Sequence, residues 1–281
     1  MRFVTVHTGG RLIPALVEGD SVLPLTGPDA PPTLRALIEA GAQGLELAKK
    51  AASSAAAIPL SQAQLAPPIP TPEKILCIGL NYRDHAIETN APIPTEPVVF
   101  NKLPSALLAP GGVIRLPKVT SQVDFEAELV VVIGKAGRDI SEEAAMDYVF
   151  GYTCGNDVSA RDWQKNKPAK QWLLGKSFDT FAPIGPVIVT RDEIPDPGAL
   201  PISLRLNGET MQSSTTAQLI FSIPHLISYI SQVATLQPGD LLFTGTPSGV
   251  GMARTPPVWL KPGDQVEVEI SGLGTLKNRV E

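Results

Sequence analysis

The sequence predicts a β-dominated α+β fold in two units, a small N-terminal one over residues 1–71 and a larger one over 72–281, on three observations. Short β-branched and apolar runs broken by Gly or Pro recur after residue 72: KILCIGL, PVVF, VIRLP, ELVVVIG, GPVIVT, ISLRLNG, DLLFTGTP and DQVEVEI. Helical spacing is confined to a few stretches. Between the two units, LAPPIPTP at 65–72 fixes φ at successive prolines and removes backbone donors, so regular structure stops and the boundary falls there.

Taken in order, residues 1–25 alternate apolar and polar positions with Gly punctuation (RFVTVHTGG, LIPALVEGDSVLPL), the pattern of short strands joined by tight turns. From Pro32 to Ala57, the alanine-rich TLRALIEAGAQGLELAKKAASSAAA has helical composition and apolar spacing. Beyond the boundary, helices are expected around 142–148 and 217–234, with strands elsewhere. No internal repeat or low-complexity tract interrupts this order.

With 43% hydrophobic and 18% charged residues, the chain can bury a full core and is far from a disordered composition. A net charge of -5 and a pI near 5.3 exclude nucleic acid and anionic membrane surfaces as partners, since both reward clustered Lys and Arg. No apolar run approaches the roughly 20 residues that span a bilayer. The start, MRFVTVHTGGRL, has neither a signal-peptide core nor transit-peptide character, so a cytoplasmic protein is expected. Cys77 and Cys154 sit in apolar strand-like stretches and read as small buried hydrophobes, neither disulfide-bonded nor nucleophilic.

In VDFEAELVVVIG, the side chains of Asp124, Glu126 and Glu128 fall at period two and would project from one strand face. Three carboxylates side by side repel unless water covers them or a cation sits among them. Glu267 and Glu269 in DQVEVEISG show the same spacing and are expected to be a solvated face. Glu126 and Glu128 differ in running straight into LVVVIG, an apolar run typical of a strand covered on both sides, where a countercharge is needed. Asp157, at a strand-to-helix junction in GYTCGNDVSARDWQ, is either a helix N-cap or a third oxygen ligand. Two Glu and one Asp suit Mg²⁺ or Mn²⁺, and the absence of a Cys/His cluster speaks against zinc.

In NYRDHAIET, His85 and Glu88 stand at i and i+3. That spacing fits an exposed helix pair, or a carboxylate that orients an imidazole for general-base work. His225 is expected to pack in the core and His7 to lie on a strand surface. Lys102, Arg161 and Lys176 are candidate local cations for an anionic substrate. Lys176 is the most suggestive, because it lies among Trp172, Leu173, Leu174 and Phe178, where an unpaired ammonium is costly. GKS at 175–177 is no phosphate loop, since Lys170 stands where the upstream glycine belongs, and GVGMAR lacks the third glycine of a dinucleotide fingerprint. The Gly-rich TGTPSGVG (244–251) can bring backbone N–H groups and the Thr246 hydroxyl near an anionic ligand.

Taken together and in this order, GLNYRDHAIE, FNKLPSAL, DFEAELVVVIGK, GNDVSARDWQ, QWLLGKSFDTFAPIGPVIV and LLFTGTPSGVG resemble the fumarylacetoacetate hydrolase family, over residues 72–281. The resemblance implies a mixed β-roll catalytic domain behind a small N-terminal domain, usually in a homodimer. It implies Glu126, Glu128 and Asp157 as metal ligands, His85 and Glu88 as a catalytic dyad and Lys176 as the active-site lysine. Lys102 is carried with the candidate substrate-binding cations, and Arg161, Gln164 and Thr246 match substrate-contacting positions. The activity so implied is metal-dependent C–C hydrolysis of an acylpyruvate-type 2-oxo acid through an enolate. The same site would serve an oxaloacetate keto–enol tautomerase or decarboxylase, and a remote third option is an inactive metabolite-binding protein.

Overall fold

A computed structural model describes residues 1–281. Its largest sheet has twelve strands. In spatial order the path runs Ile58–Pro59, Ser21–Pro24, Arg11–Glu18, Arg2–Thr8, Ala182–Thr190, Val149–Asn156, Ala127–Ile133, Leu241–Phe243, Ile75–Gly79 and Val98–Asn101. Most neighbours are antiparallel, but Leu241–Phe243 lies parallel to Ile75–Gly79. A second sheet of five strands takes Glu209–Thr215, Pro201–Leu206, Gln265–Ile270, Gly274–Val280 and Val113–Ile114. This is the β-dominated α+β architecture with mixed sheets that the short apolar runs predict. One core of 62 buried residues joins both sheets.

The N-terminal strands form and pair as the alternation implies, and Arg2–Thr8 then pairs with Ala182–Thr190, so residues before the Pro-rich segment share the large sheet with residues after it. Within that segment, Leu65–Ala66 adds a short strand to Arg2–Thr8. The alanine-rich stretch forms two helices, Leu34–Glu39 and Gly41–Ala52, the first capped by the Thr33 side chain. Of the later helical stretches, 142–148 yields only the 3₁₀ turn Ala145–Tyr148. The stretch 217–234 yields the helix Ile223–Ser231, capped by Ser222, with Leu226, Ile227 and Ile230 turned into the core. No helix is long and apolar enough to cross a membrane.

Ala127–Ile133 is buried at every position and lies between Val149–Asn156 and Leu241–Phe243. That central, doubly covered place explains its unbroken apolar run, and it carries the first acid of the site, Glu128, into the interior.

Candidate active site

The acids of DFEAE do not lie on one continuous strand. Pairing stops after Val123–Asp124 and resumes at Ala127, because the polar groups between are engaged elsewhere. The Asp124 carboxylate accepts the N–H of Phe125 at 2.8 Å, of Gly251 at 2.7 Å and of Met252 at 3.0 Å. The Glu126 N–H donates to the Asn156 side chain at 2.9 Å. The break turns Asp124 toward Arg161, whose Nε donates to it at 2.8 Å and whose Nη2, 2.8 Å away, it shares with Glu126.

Glu126 and Glu128 instead converge with Asp157, and oxygens of the three carboxylates lie within 4.8 Å of one another. Asp157 follows directly on Val149–Asn156, and its N–H donates to the Glu126 carbonyl at 2.9 Å. It caps no helix; the next one, Arg161–Asn166, begins after Ala160 without a side-chain cap. Lys176 donates to Glu126 at 2.6 Å and to Asp157 at 2.8 Å, which pairs the ammonium that its apolar surroundings would penalise. Lys102 donates to Asp157 and to the Val158 carbonyl. Arg161 Nη2 lies 2.7 Å from Glu126.

Asp124, Glu126, Glu128 and Asp157 are thus matched against Lys102, Arg161 and Lys176, all buried. One negative charge is left over, and it belongs to Glu128, which has no cationic partner and accepts only the Gly245 N–H at 2.7 Å. Burial, then Asp157 and Glu126, push the Glu128 carboxyl well above its usual range. Burial would also raise Glu126, but Lys176 and Arg161 outweigh it and hold that carboxyl at about 2. Burial opposes the charge on Lys176, yet Asp157 and Glu126 raise it above the ordinary value. Burial lowers Lys102, which Asp157 offsets only in part. Converging oxygen donors with one uncompensated negative charge fit a hard divalent cation, with Glu126, Glu128 and Asp157 as the residues to hold it.

Glu126 and Glu128 line a cavity of about 290 Å³, with Asp157 buried behind them. His85 stands on its wall, on the short helix Arg83–Glu88, and Nδ1 lies 2.9 Å from Glu88 Oε2. The other Glu88 oxygen accepts the Gly249 N–H at 2.7 Å, so the carboxylate is fixed from both sides and Nε2 is the ring nitrogen left for chemistry. Ile78, Phe100 and Trp172 supply apolar wall, and Arg161, Gln164 and Thr246 also line the space. Lys102 does not line it; its ammonium is committed to Asp157. A larger hollow of about 650 Å³ lies near the N-terminus, but its charges are paired at the surface, Met1 with Glu193 and Arg191 with Asp147, and none of the candidate residues reaches it.

The Gly-rich loop 244–251 works otherwise than expected: its N–H groups at Gly245, Gly249 and Gly251 go to Glu128, Glu88 and Asp124, the protein's own carboxylates. Glycine is required at two of these donors. Gly249 has φ +103° and a Cβ there would lie 2.1 Å from the Met211 carbonyl oxygen, while Gly245 has φ +99° and its Cβ would meet Asn81 at 2.8 Å. The Thr246 hydroxyl donates to the Ala127 carbonyl at 2.9 Å and accepts from Gln212 at 2.8 Å. Gln212, which no sequence motif marks, also accepts the Ala127 N–H at 2.8 Å and so ties the loop to the strand of Glu128. His225 corrects another expectation. Its side chain is 36% exposed, off the apolar face of its helix, stacked on Phe221 and 2.7 Å from Glu142. His7 is exposed on its strand, and both cysteines are buried and free.

Residues 74–281 match the family described as fumarylacetoacetate (FAA) hydrolase, C-terminal. The chain belongs to the fumarylacetoacetate hydrolase family. It is 50% identical over 268 residues to a Xenopus laevis protein named oxaloacetate tautomerase fahd2, mitochondrial, covering 94% of this chain and 84% of that one. Among solved structures, the fumarylacetoacetate hydrolase of Exiguobacterium antarcticum superposes with a TM-score of 0.88 at 35% identity, covering 100% of this chain and 99% of that one. The maleylpyruvate hydrolase of Sphingobium sp. SYK-6, in complex with manganese(II) and pyruvate, gives 0.82 at 33% identity, covering 100% and 98%. The protein is therefore an enzyme of the fumarylacetoacetate hydrolase family, and its relatives include an oxaloacetate tautomerase as well as hydrolases. The compartment in the Xenopus name differs from the cytoplasm expected for this chain.

Proposed function

We propose that the protein interconverts the keto and enol forms of oxaloacetate, with Mg²⁺ or Mn²⁺ held by Glu126, Glu128 and Asp157. One observation carries this reading: two acids of a buried triad with a charge left over, Glu126 and Glu128, share a small cavity with an imidazole whose Nδ1 is held by a carboxylate. The sequence places C–C hydrolysis first; the tautomerase named at 50% identity supports the opposite order.

A bound divalent cation supplies Lewis-acid polarisation at the 2-oxo acid end of the substrate. Glu88 holds the imidazole in the tautomer with its proton on Nδ1, so His85 Nε2 takes the proton from C3 and delivers it to the C2 oxygen to complete the enol, and carries it back to C3 in the reverse direction. The Lys176 ammonium, kept charged by Glu126 and Asp157, donates a hydrogen bond to the oxygen on which negative charge develops. Arg161 and Gln164, which line the same cavity, orient the substrate. The apolar wall of Ile78, Phe100 and Trp172 limits water beside the reacting carbon, which favours proton transfer over hydrolysis. The enzyme works as a homodimer on this reading.

Hydrolysis of an acylpyruvate is the second reading, favoured by the likeness to the maleylpyruvate hydrolase. In it, His85 activates water against the 4-carbonyl. Decay of enol oxaloacetate and of a short acylpyruvate, followed by ultraviolet absorbance with Mg²⁺ and with EDTA, separates the two. EDTA-sensitive decay of enol oxaloacetate without pyruvate release supports the tautomerase; pyruvate from oxaloacetate makes it a decarboxylase. Pyruvate released from the acylpyruvate, with no enzymatic effect on oxaloacetate, makes it a hydrolase. His85→Ala is expected to lower the rate about a hundredfold or more while Mn²⁺ still binds.

A further inference from the structure

The cavity holds one cation that none of the roles above uses. Lys165 lies on Arg161–Asn166, exposed at the edge of the same space that Glu126, Glu128 and Lys176 line. The other cations of the site each pair with carboxylates of the chain: Lys176 with Glu126 and Asp157, Lys102 with Asp157, and Arg161 with Asp124 and Glu126. Lys165 makes no hydrogen bond, and Asp124 and Glu126 act on it only through longer-range attraction.

Beside it, Gln164 is 3% exposed. Its Oε1 accepts from Arg161 Nη1 at 3.0 Å, which fixes the amide orientation because a guanidinium can only donate. The NH₂ end donates to no protein acceptor and belongs to a residue that lines the cavity. A free ammonium and a free amide donor that both line the cavity can form a receptor for a carboxylate. Of the other lining residues, Ile78 and Phe100 offer no polar partner and Trp172 only its indole N–H, so the free cation for a charged distal group is Lys165.

We infer that Lys165, with the Gln164 amide, binds the second carboxylate of a four-carbon 2-oxo dicarboxylic acid and makes the enzyme selective for dicarboxylates over 2-oxo monocarboxylates. This rests on the reading that the triad end of the cavity takes the 2-oxo acid head. Lys165 is a specificity residue here: it touches the distal carboxylate and takes no part in the proton transfer.

The test is calorimetric and independent of turnover. Mg²⁺-loaded protein is titrated with (S)-malate and with (S)-2-hydroxybutanoate, chelating acids of equal length that differ in the distal carboxylate. Wild type is expected to prefer malate about tenfold, the worth of one charge-assisted hydrogen bond. Lys165→Met should bring the two affinities within about twofold, and Lys165→Arg should keep most of the preference. Wild type binding the two acids equally, or neither, overturns the inference, and so does an undiminished preference in Lys165→Met. Enol oxaloacetate decay on the same preparations keeps the two readings apart. A malate preference that depends on Lys165, in protein that does not speed that decay, supports the carboxylate receptor and rejects the tautomerase.

Discussion

Two Glu-x-Glu pairs, Glu126 with Glu128 and Glu267 with Glu269, have the same spacing, and the fold puts them in opposite circumstances. Gln265–Ile270 carries the second pair on a half-covered sheet with its cations directly across the strands: Arg205 and Lys277 are both register partners of Glu267. Lys277 lies 2.7 Å from Glu267, and Arg205 reaches Glu267 at 3.0 Å and Glu269 at 2.9 Å. Charge is balanced locally and water covers the rest. The first pair is buried, and its cations come from distant parts of the chain, Arg161 and Lys176. They balance Glu126 but leave Glu128 with a single backbone N–H. The spacing is therefore uninformative by itself; burial combined with an unbalanced charge is what marks a cation site.

The sharpest way to break this contrast is to delete one acid from each pair. Glu128→Ala should lower turnover of enol oxaloacetate by about a thousandfold or more, the scale of losing several kcal/mol of metal-borne stabilisation, whereas Glu269→Ala should stay within about twofold. Comparable losses in steady-state assays of the two variants would remove the distinction.

Next in size is the countercharge. Lys176→Met leaves Glu126 and Asp157 buried with fewer cations, so in EDTA the protein should lose about 3 kcal/mol in urea unfolding. Mg²⁺ should restore part of that loss, because an ion bound only by the folded state stabilises it. A variant as stable as wild type in EDTA would show that the pairing is energetically idle.

The smallest effect belongs to the exposed pair. Glu267→Gln should cost about 0.5 kcal/mol or less at neutral pH and nothing measurable in 1 M salt. Lys277 first, and Arg205 after it, hold the Glu267 carboxyl below its usual range against a small opposing effect of burial. Its folded pKa is therefore lower than the unfolded one, near 4.3. The stabilisation is present above that unfolded value and is lost as pH falls through the folded one, so wild type and variant should converge in acid.

Much of this was legible before the fold was known. The apolar run after Glu128 forecast a covered strand, the i, i+3 spacing forecast the His85–Glu88 contact, and the apolar setting of Lys176 forecast a buried partner. Other features were not. Period two placed Asp124 beside Glu126 and Glu128, but side-chain bonds to backbone break the strand, and spacing rules carry no such information. The N–H groups of loop 244–251 could be counted as donors, yet only the fold shows them spent on the protein's own acids. His225 was misplaced because helix phase depends on where the helix starts, at Ile223 after the Ser222 cap. Gln212 and Lys165 had no signal, since one residue's role depends on a loop 34 positions away and the other's on what its neighbours have already used.

The central claim is that the leftover charge at Glu128 marks a cation site. Titration of the purified protein with Mn²⁺, read by the loss of free-ion electron paramagnetic resonance signal, tests it directly. The account predicts one tightly held ion per chain in wild type and in the Glu267→Ala/Glu269→Ala variant, and none in Glu126→Ala/Glu128→Ala. Mn²⁺ retained by the buried double variant, or lost with the exposed one, would contradict it.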